Sequence, residues 1–434
     1  MKNCCKISLF LLCIVSFASA QETLNLEQAL ETALKNNYAI GIARVQSAAA
    51  TNNNNIGNAG FLPSVVFNAS NSLSNNNTKQ EYSNGLNINK SGVGSTGLNA
   101  GVALNWTLFD GFKMFATHQR LKEIEAQGLI NIKVQIENTV AAIVGAYYDV
   151  VRQTQLIKAT NDNIKIYEER IKIAQKKADI GSGSRIDLLQ AKVDLNTQKA
   201  ALLKLRIALD NAKASLNQLL SRPGDQEFMV NDSIVVNYAP AYSELKKTLV
   251  TNNNQLLFAQ KNSSISEQLV KESQSQRLPQ IEVNAIYNFS QTKNQVGLVL
   301  LNQNLGLNIG LTASWTLFNG FKTRTQVRNA YFMVQQNELL YKQTNTIVEA
   351  ALIRAWKTFN YSVEAMKLEE DNILLARENV NIAMERFRIG SSTSIELMFA
   401  QKSYEEALSR LLAARYDAKL AETELKRLNG ELVK

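Results

Sequence analysis

The side chains that usually carry catalysis or metal binding are scarce in this 434-residue chain. His118 is the only histidine, and Cys4, Cys5 and Cys13 are the only cysteines. One histidine without a cysteine or histidine partner does not make a transition-metal site, because such sites use several nitrogen or sulfur ligands. The same histidine serves no Ser/His/Asp set, and no Gly-rich phosphate loop follows a strand. The sequence therefore argues against an enzyme, and His118 is expected to be an unpaired surface residue.

Two acidic residues occupy positions where charge has a physical role. Asp187 and Glu396 each lie six residues after a glycine, Gly181 and Gly390, at which a long proline-free stretch ends (181 + 6 = 187; 390 + 6 = 396). The helix dipole favours acids in the first turn of a helix, so capping is one role for both. Any role beyond capping depends on the elements that hold them.

Two long stretches with helical periodicity would position these acids. Residues 112–180 contain no proline, and their apolar side chains recur every seven residues, the period of a coiled coil. At 1.5 Å per residue, a helix of this size is about 100 Å long. Residues 321–389 repeat the period 209 positions later (112 + 209 = 321). This duplication in register predicts two copies of one structural unit.

Shorter helices are predicted beside the long ones. Residues 186–219 carry leucines in steps of seven after the turn at 181–184, and the second copy repeats the pattern after the turn at 390–393. Each turn therefore joins a long helix to a shorter antiparallel one in a coiled-coil hairpin. Two further helices, residues 24–58 and 242–278, each precede a proline, which cannot continue a helix.

The chain changes to a period of two after each Leu-Pro pair. Residues 65–73 and 98–108 alternate apolar side chains with Asn, Gly, Ser and Thr, and the polar stretch 75–97 is predicted to be a loop between two strands. The second copy repeats the alternation at 281–289 and 305–317. Four strands, each with an apolar face and a nearly uncharged polar face, are thus predicted.

These strands suit a membrane barrel better than a soluble sandwich. The outer face of a sandwich usually carries charges, whereas these polar faces carry very few. Strands that cross a membrane need about 9–11 residues, apolar toward lipid and polar toward the lumen. Four strands cannot close a barrel, and lipid does not tolerate an open edge. The barrel must therefore be shared, with eight strands from two subunits or twelve from three.

The first twenty residues have the pattern of a secretory signal peptide. Lys2 and Lys6 come before or beside an apolar run of 11 residues, and Ala18-Ser-Ala20 forms a small-residue cleavage site. Cleavage removes two lysines, which lowers the formal net charge from +9 to +7, and it leaves no cysteine. The remaining basic residues are interleaved with acids, which favours solvated helix faces over nucleic-acid binding. No later stretch approaches 18 consecutive apolar residues, so no membrane-spanning helix is expected.

Duplicated motifs give the chain a resemblance to a known family. They are the two Leu-Pro entries to strands, the phrases Trp-Thr-Leu-Phe-(Asp/Asn)-Gly-Phe at 106–112 and 315–321, and two turns of the form Gly-x-x-(Ser/Thr)-x-Ile-(Asp/Glu). With them, the whole mature chain resembles the TolC-like outer-membrane efflux proteins, or outer membrane factors. The resemblance implies a mainly α homotrimer: a twelve-stranded β-barrel lies in the outer-membrane lipid of a Gram-negative bacterium, and coiled-coil hairpins form an α-barrel in the periplasm. It further implies a passive channel without a cofactor, used in efflux or type I secretion together with a periplasmic adaptor (membrane fusion protein) and an inner-membrane pump.

The resemblance also implies roles for residues in both copies. The family's adaptors grip the helical turns, so the expected contacts are Gly181, Ser182, Gly183, Ser184, Gly390, Ser391, Ser392 and Thr393. In a trimer Asp187 and Glu396 would form rings of negative charge at the periplasmic entrance, with helix capping as the alternative. Related ducts place a second acid where this chain has Phe399, which suggests a partly apolar constriction. An aromatic girdle, or else simple packing, is expected at the barrel-to-helix junctions, which contain Trp106, Phe109, Gly111, Trp315, Phe318 and Gly320.

The expected domains follow the duplication. They are the signal peptide (1–20), a first repeat (21–220), an equatorial linker (221–243) with a short strand at 234–236, and a second repeat (244–434). Two other functions remain open, a periplasmic adaptor and a coiled-coil scaffold without a pore. An adaptor would have a single hairpin flanked by soluble β modules, whereas this sequence predicts two hairpins.

Overall fold

The structure, a computed structural model, describes residues 22–230 and 233–432. The predicted signal peptide lies outside the described residues. Helices and strands follow one another in the order that the duplication predicts. The elements are β1 (Glu22–Thr23), α1 (Leu26–Asn36), α2 (Tyr38–Asn53), β2 (Ser64–Glu81), β3 (Asn87–Phe109), α3 (Lys113–Asp179), α4 (Arg185–Leu219), β4 (Phe228–Met229), α5 (Tyr242–Asn252), α6 (Asn254–Ser275), β5 (Gln280–Asn294), β6 (Leu301–Ser314), α7 (Lys322–Ile389) and α8 (Ser394–Leu428).

The described chain divides into two compact units. The helical unit contains the chain up to Ile40, Ile136–Leu245 and the chain from Ala351 onward. The strand-bearing unit contains Gly41–Gln135 and Lys246–Ala350. Among the described residues, no helix combines the length and the apolar character that crossing a bilayer requires.

An apolar core holds the helical unit together. Ile143 and Tyr147 of α3 are fully buried and share a cluster with Ala29 of α1 and Leu216 of α4. The Tyr147 hydroxyl donates a hydrogen bond to the Leu24 carbonyl at 3.1 Å, which anchors the start of the described chain. The seven-residue period in the sequence therefore correctly identified the side of α3 that is buried in the helical unit.

One antiparallel sheet with the strand order β2-β3-β5-β6 lies in the strand-bearing unit. Strands β2 and β3 form one hairpin, strands β5 and β6 form a second, and β3 pairs with β5 to join the two hairpins. The apolar face of the sheet is open to solvent in a single chain: Phe67 and Leu73 of β2 and Ile309 and Leu311 of β6 are all more than 60% exposed. The strands β2 and β6 form the two edges of the described sheet.

The predicted loop over residues 75–97 is wrong for most of its length. Strand β2 continues to Glu81 and β3 begins at Asn87, so only residues 82–86 form the turn. Gly85 has φ +83° there, and its N–H donates to the Tyr82 carbonyl at 3.0 Å. The Asn, Ser and Gly content of this stretch is typical of loops, but an antiparallel ladder is held by backbone hydrogen bonds that any side chain permits.

Two predicted helices are each divided by an asparagine. The helix expected at 24–58 consists of α1 and α2, and the Asn37 side chain between them accepts from the Ala39 N–H at 2.9 Å. The helix expected at 242–278 consists of α5 and α6, and the Asn253 side chain accepts from the Leu256 N–H at 3.0 Å. Asparagine is a strong N-cap residue, so each of these positions starts a new helix.

Two strand boundaries also differ from prediction. Residues 234–236 do not form a strand, and β4 at Phe228–Met229 pairs instead in parallel with β1. Strand β6 begins earlier than expected, at Leu301, and ends at Ser314, which leaves Trp315 outside the ladder.

Candidate functional site: the interhelical turns and the strand-to-helix junctions

The turn between α3 and α4 and the turn between α7 and α8 are formed in the same way. Gly181 and Gly390 have φ of +73° and +83°, a left-handed conformation that glycine adopts without strain. The Ser182 N–H donates to the Lys177 carbonyl at 2.9 Å, and the second turn repeats this bond from Ser391 at 2.9 Å. These bonds satisfy carbonyls at the ends of the long helices, and the chain then reverses within a few residues.

The two turns differ at one central position. Gly183 leaves no room for a side chain, because a Cβ there would lie 2.6 Å from Cβ of Lys177. The equivalent residue of the second turn is Ser392 (183 + 209 = 392), whose buried hydroxyl has no hydrogen-bond partner. The second turn therefore carries an unsatisfied polar group where the first requires glycine.

Ser184 and Thr393 cap the helices that follow the turns. Ser184 Oγ accepts from the Ile186 N–H at 3.1 Å, and Thr393 Oγ1 accepts from the Glu396 N–H at 3.2 Å. Each cap satisfies a backbone donor that would otherwise be free. Local geometry explains these two residues, and contact with an adaptor stays a prediction for all eight turn residues.

Of the expected entrance residues, Asp187 and Glu396 lie in the first turns of α4 and α8, and Phe399 lies in the next turn of α8. Asp187 is half-buried, whereas the Glu396 side chain is 53% exposed and lies 3.9 Å from Arg386. An exposed ion pair of this kind contributes about 0–1 kcal/mol. Phe399 is 62% exposed, and its spacing of three residues from Glu396 places both on one side of α8. The structure thus brings Glu396 and Phe399 together, and it holds Asp187 on a different helix.

An apolar cluster next to the turns contains residues from all four long and short helices of the two hairpins. Its members are Ile173 and Ala174 of α3, Leu188 of α4, Phe387 of α7 and Leu397 of α8. Lys177 adds a polar contact, because its ammonium group lies 4.4 Å from the centre of the Phe387 ring and donates to the Phe387 carbonyl. The hairpins are therefore packed against each other near their turns within one chain.

A second contact between the hairpins is polar and buried. Arg170 of α3 is only 1% exposed. Its guanidinium group donates to Asp194 Oδ2 of α4 at 2.8 Å, to Ser394 Oγ of α8 at 2.9 Å and to Gln401 Oε1 of α8 at 3.3 Å. Hydrogen bonds between charged groups are the strong ones, and they offset part of the cost of burying the arginine. Arg170 thereby connects three helices.

A carboxyl group with a perturbed pKa belongs to the same region. Glu405 of α8 accepts a hydrogen bond from Gln198 of α4 at 2.9 Å. Burial raises the pKa of Glu405, and hydrogen bonds from Tyr167 and Gln198 oppose this rise. Burial, together with the nearby charge of Glu405, raises the pKa of Tyr167 and keeps its hydroxyl a neutral donor. We name this set the buried polar layer; it consists of Tyr167, Arg170, Asp194, Gln198, Ser394, Gln401 and Glu405.

Sequence analysis missed the buried polar layer. Arg170 occurs where basic and acidic residues are interleaved, and that pattern indicated a solvated helix face. A signal was present in the comparison of the two copies. The position equivalent to Arg170 is the exposed Asn379 (170 + 209 = 379), and the position equivalent to Asp194 is Ser403 (194 + 209 = 403). Because one copy has this pair of opposite charges and the other lacks it, the pair indicates a contact that is specific to the first copy.

The strand-to-helix junctions, in contrast, repeat the same hydrogen bond. Trp106 Nε1 donates to the Phe61 carbonyl at 3.0 Å, and Trp315 Nε1 donates to the Arg277 carbonyl at 3.0 Å. Each bond ties the end of a strand to the segment that precedes the first strand of its hairpin. The tryptophans therefore have a local structural role, and an aromatic girdle at the membrane interface stays a prediction.

Edge-to-face phenylalanine pairs complete both junctions. The ring centres of Phe109 and Phe112 are 5.2 Å apart, and those of Phe318 and Phe321 are 5.5 Å apart. Phe112 and Phe321 have φ of +70° and +67°, which strains a residue other than glycine. The same strained backbone occurs in both copies, so the junction is a conserved feature of the duplication within this chain.

The glycines of the two junctions have different surroundings. Gly111 and Gly320 both have a positive φ, +72° and +65°. A Cβ at Gly111 would lie 2.4 Å from the Ser275 carbonyl oxygen, whereas a Cβ at Gly320 would meet nothing within 4 Å. Only the first junction therefore requires glycine for a close approach as well as for its backbone angle.

His118 is less exposed than the surface residue that the sequence predicts. It is half-buried, and its ring lies edge-to-face with Phe61 at 6.2 Å between centres. Its Nδ1 atom is buried without a hydrogen-bond partner. Within the described ranges, no group of three or more His, Cys, Asp or Glu residues is arranged to hold a metal ion.

The family is established by comparison with known sequences. The family model described as "Outer membrane efflux protein" matches residues 29–222 and 245–431. These two segments cover most of the chain, and the chain belongs to this family.

Individual relatives agree with the family. The outer membrane efflux protein BepC of Brucella suis is 23% identical over 76% of this chain and 72% of its own length. The outer membrane protein TolC of Escherichia coli is 21% identical over 97% of this chain and 85% of its own. The alkaline protease secretion protein AprF of Pseudomonas aeruginosa is 21% identical over 73% and 66%. Among solved structures, the outer-membrane channel OprN superposes with a TM-score of 0.80 at 17% identity, over 94% of this chain and 90% of that one.

These comparisons decide among the functions left open by the sequence. The chain is an outer-membrane exit duct for efflux or type I secretion, and it extends into the periplasm. The predicted fold class, long helical hairpins with four antiparallel strands per subunit, is confirmed. The periplasmic adaptor and the poreless scaffold are therefore not supported.

The buried polar layer gives a test of what holds the hairpins together. We expect Arg170→Met to lower the stability of the helical unit by about 2–3 kcal/mol, because it removes three hydrogen bonds of a buried guanidinium and leaves the half-buried Asp194 carboxylate without its cation. Thermal unfolding of the detergent-purified protein, followed by circular dichroism, measures the change. Asn379→Met is the matched control at the equivalent exposed position. Equal unfolding temperatures for the two variants would contradict the prediction, and the double variant Arg170→Met/Asp194→Leu should recover much of the loss.

The two junction glycines provide a second, internally controlled test. Gly111→Ala should reduce the yield of folded protein sharply, because its Cβ overlaps the Ser275 carbonyl oxygen. Gly320→Ala should cost only about 1–2 kcal/mol, the strain of a left-handed backbone at alanine. Folded yield in the membrane fraction and thermal unfolding of the purified protein separate the two. Equal behaviour of the two variants would show that the close approach at Gly111 is unimportant.

Proposed function

We propose that three copies of this chain assemble into one channel with a twelve-stranded barrel in the lipid of the outer membrane. The observation that carries this proposal is the open four-stranded sheet. Its apolar face is exposed in a single chain, and its edge strands β2 and β6 have no partner within the described sheet. Each unpaired backbone group would cost several kcal/mol in hydrocarbon, so closure between subunits stabilises the sheet in a membrane.

The number of subunits follows from what the interior must conduct. Side chains fill the interior of a barrel of about eight strands, so two copies would leave no open path. Twelve strands enclose a wider lumen, which the Asn, Gly, Ser and Thr faces of the strands would line with uncharged polar groups. Such a wall discriminates little between cargoes, and the chain itself performs no chemistry. The energy for transport comes from its partners.

The interhelical turns are the proposed contacts for a periplasmic adaptor, which links the duct to an inner-membrane pump. Exposed isoleucines flank both turns at equivalent positions, Ile180 and Ile389 before them and Ile186 and Ile395 after them, each at least 60% exposed. Apolar side chains on both sides of a small, tight turn fit a partner that packs a helical hairpin against it. The short turns at 181–184 and 390–393 bring the isoleucines on their two sides close to each other.

Purification and reconstitution test the channel directly. The mature protein should require detergent, run as a trimer in light scattering corrected for detergent, and open ion-conducting pores in a planar lipid bilayer. The proposal would be overturned if the mature protein dissolved without detergent, if it ran as a monomer or a dimer in detergent, or if it gave no conductance in the bilayer.

The entrance residues are tested by ion selectivity. If Glu396 lines the periplasmic mouth, a trimer carries three such charges, which attract cations to the pore. Glu396→Ala should then shift the reversal potential under a salt gradient toward lower cation selectivity. The same reversal-potential measurement on Asp187→Asn tests whether the acid on α4 also contributes to cation selectivity. Should the reversal potential stay unchanged in both variants, the acids act only as helix caps.

A further inference from the structure

The two hairpins of the sheet are copies of one ladder. Ser64 pairs with Asn105 in the first hairpin, and Gln280 pairs with Ser314 in the second. If 216 is added to the residue number on the first strand and 209 to the residue number on the second strand, the first pair becomes the second pair (64 + 216 = 280; 105 + 209 = 314). The same shifts convert the other paired positions that both hairpins share below the irregularity near Asn76. The duplication is therefore preserved at the level of individual cross-strand pairs.

The structure also contains one junction between hairpins. The second strand of the first hairpin, β3, pairs with the first strand of the second hairpin, β5, so that Leu104 lies opposite Ala285. At the two ends of the described sheet, the same two kinds of strand have no partner. They are β6, a second strand, and β2, a first strand.

We propose that β6 of one subunit pairs with β2 of the next in the register of the β3·β5 junction, and this inference rests on the proposed trimer. Transfer of the pair Leu104·Ala285 by the two shifts gives Ala313 opposite Ala69 of the partner subunit (104 + 209 = 313; 285 − 216 = 69). Each pair in this register has residue numbers that add up to 382. The occupant of each free sheet edge is thus a second copy of this chain, at a defined offset.

The faces of the strands support this register. In an antiparallel pair, residues directly opposite each other point to the same side of the sheet. The apolar side chains have odd numbers on β2, such as Phe67 and Leu73, and on β6, such as Ile309 and Leu311. A sum of 382 pairs odd with odd, so the apolar face continues across the subunit boundary. A slip of one residue would turn the polar face of one subunit toward lipid, which leaves only slips of two residues as competitors.

The stagger of the sheet separates the remaining registers. Asn71 lies opposite Leu98, which lies opposite Gln291. The first-hairpin equivalent of Gln291 is Asn75 (291 − 216 = 75), so the sheet advances four residues per hairpin (75 − 71 = 4). The proposed register gives the same advance at the subunit boundary. Ile286 lies opposite Asn308, and Asn308 would lie opposite residue 74 of the partner subunit (382 − 308 = 74). The first-hairpin equivalent of Ile286 is residue 70 (286 − 216 = 70), so the advance is again four residues (74 − 70 = 4). A register slipped by two residues would give an advance of two or six residues at the subunit boundary instead of four. A closed barrel whose strands share one tilt requires the same advance at every hairpin, which excludes both slipped registers.

Disulfide scanning tests the register, because Cys4, Cys5 and Cys13 all lie within the predicted signal peptide and the predicted mature chain contains no cysteine. Ala313→Cys is combined in turn with each of Val65→Cys, Phe67→Cys, Ala69→Cys, Asn71→Cys and Leu73→Cys. Cells are treated with a mild oxidant, and covalent trimers are separated on a non-reducing gel. The yield should be highest with Ala69→Cys. It should be at least about tenfold lower with Val65→Cys and Leu73→Cys, which lie about 13 Å along the strand, beyond the reach of a disulfide.

A pair within one chain supplies the matched control. Leu104→Cys/Ala285→Cys occupies the equivalent observed pair and should form an intrachain disulfide in a species that still runs as a monomer on the denaturing gel. A highest yield with Phe67→Cys or Asn71→Cys would overturn the proposed register. So would the absence of any intersubunit link in variants that conduct and whose control pair reacts. Absence of both trimers and conductance in the unmodified protein would instead refute the proposed channel itself, which separates the two failures.

Discussion

Unpaired backbone groups at the edges of one small sheet are the constraint on which the rest of this structure depends. Water can satisfy the free N–H and C=O groups of β2 and β6, but hydrocarbon cannot. A family member placed in the outer membrane must therefore close its sheet, and the described residues of a single chain contribute four strands to it. Assembly is thus a requirement of the backbone in lipid, independent of which side chains the strands carry.

The periodic parts of the chain could be predicted from its sequence because repetition reports directly on geometry. Seven-residue spacing placed Ile143 on the buried side of a long helix, and the change to a period of two marked each strand. Prediction failed where context overrode composition. The Asn-rich and Ser-rich stretch before Asn87 belongs to a ladder because neighbouring strands supply its hydrogen bonds, and single asparagines such as Asn37 divide helices that their apolar pattern joins.

The candidate site was predictable only in part. Glycine and an acid at equivalent distances revealed both interhelical turns, and the structure gives those turns the expected backbone. The buried polar layer was hidden, because a charged residue in a helix is usually solvated and its burial depends on helices that are distant in sequence. Arg170 shows this well: Asp194 is near in sequence, but Ser394 and Gln401 lie more than 200 residues away, in the other copy.

The absence of a second Arg170 has a consequence for symmetry. Six hairpins around a common axis would be interchangeable if the two copies in each chain were identical near their tips. They differ, since Asn379 replaces Arg170, Ser392 replaces Gly183, and Phe399 replaces Gln190 (190 + 209 = 399). In the proposed trimer, the hairpin turns would therefore have threefold and not sixfold symmetry in their chemistry. Any partner built from six equal arms would meet two alternating kinds of surface, and must either bind each kind differently or pair its own arms.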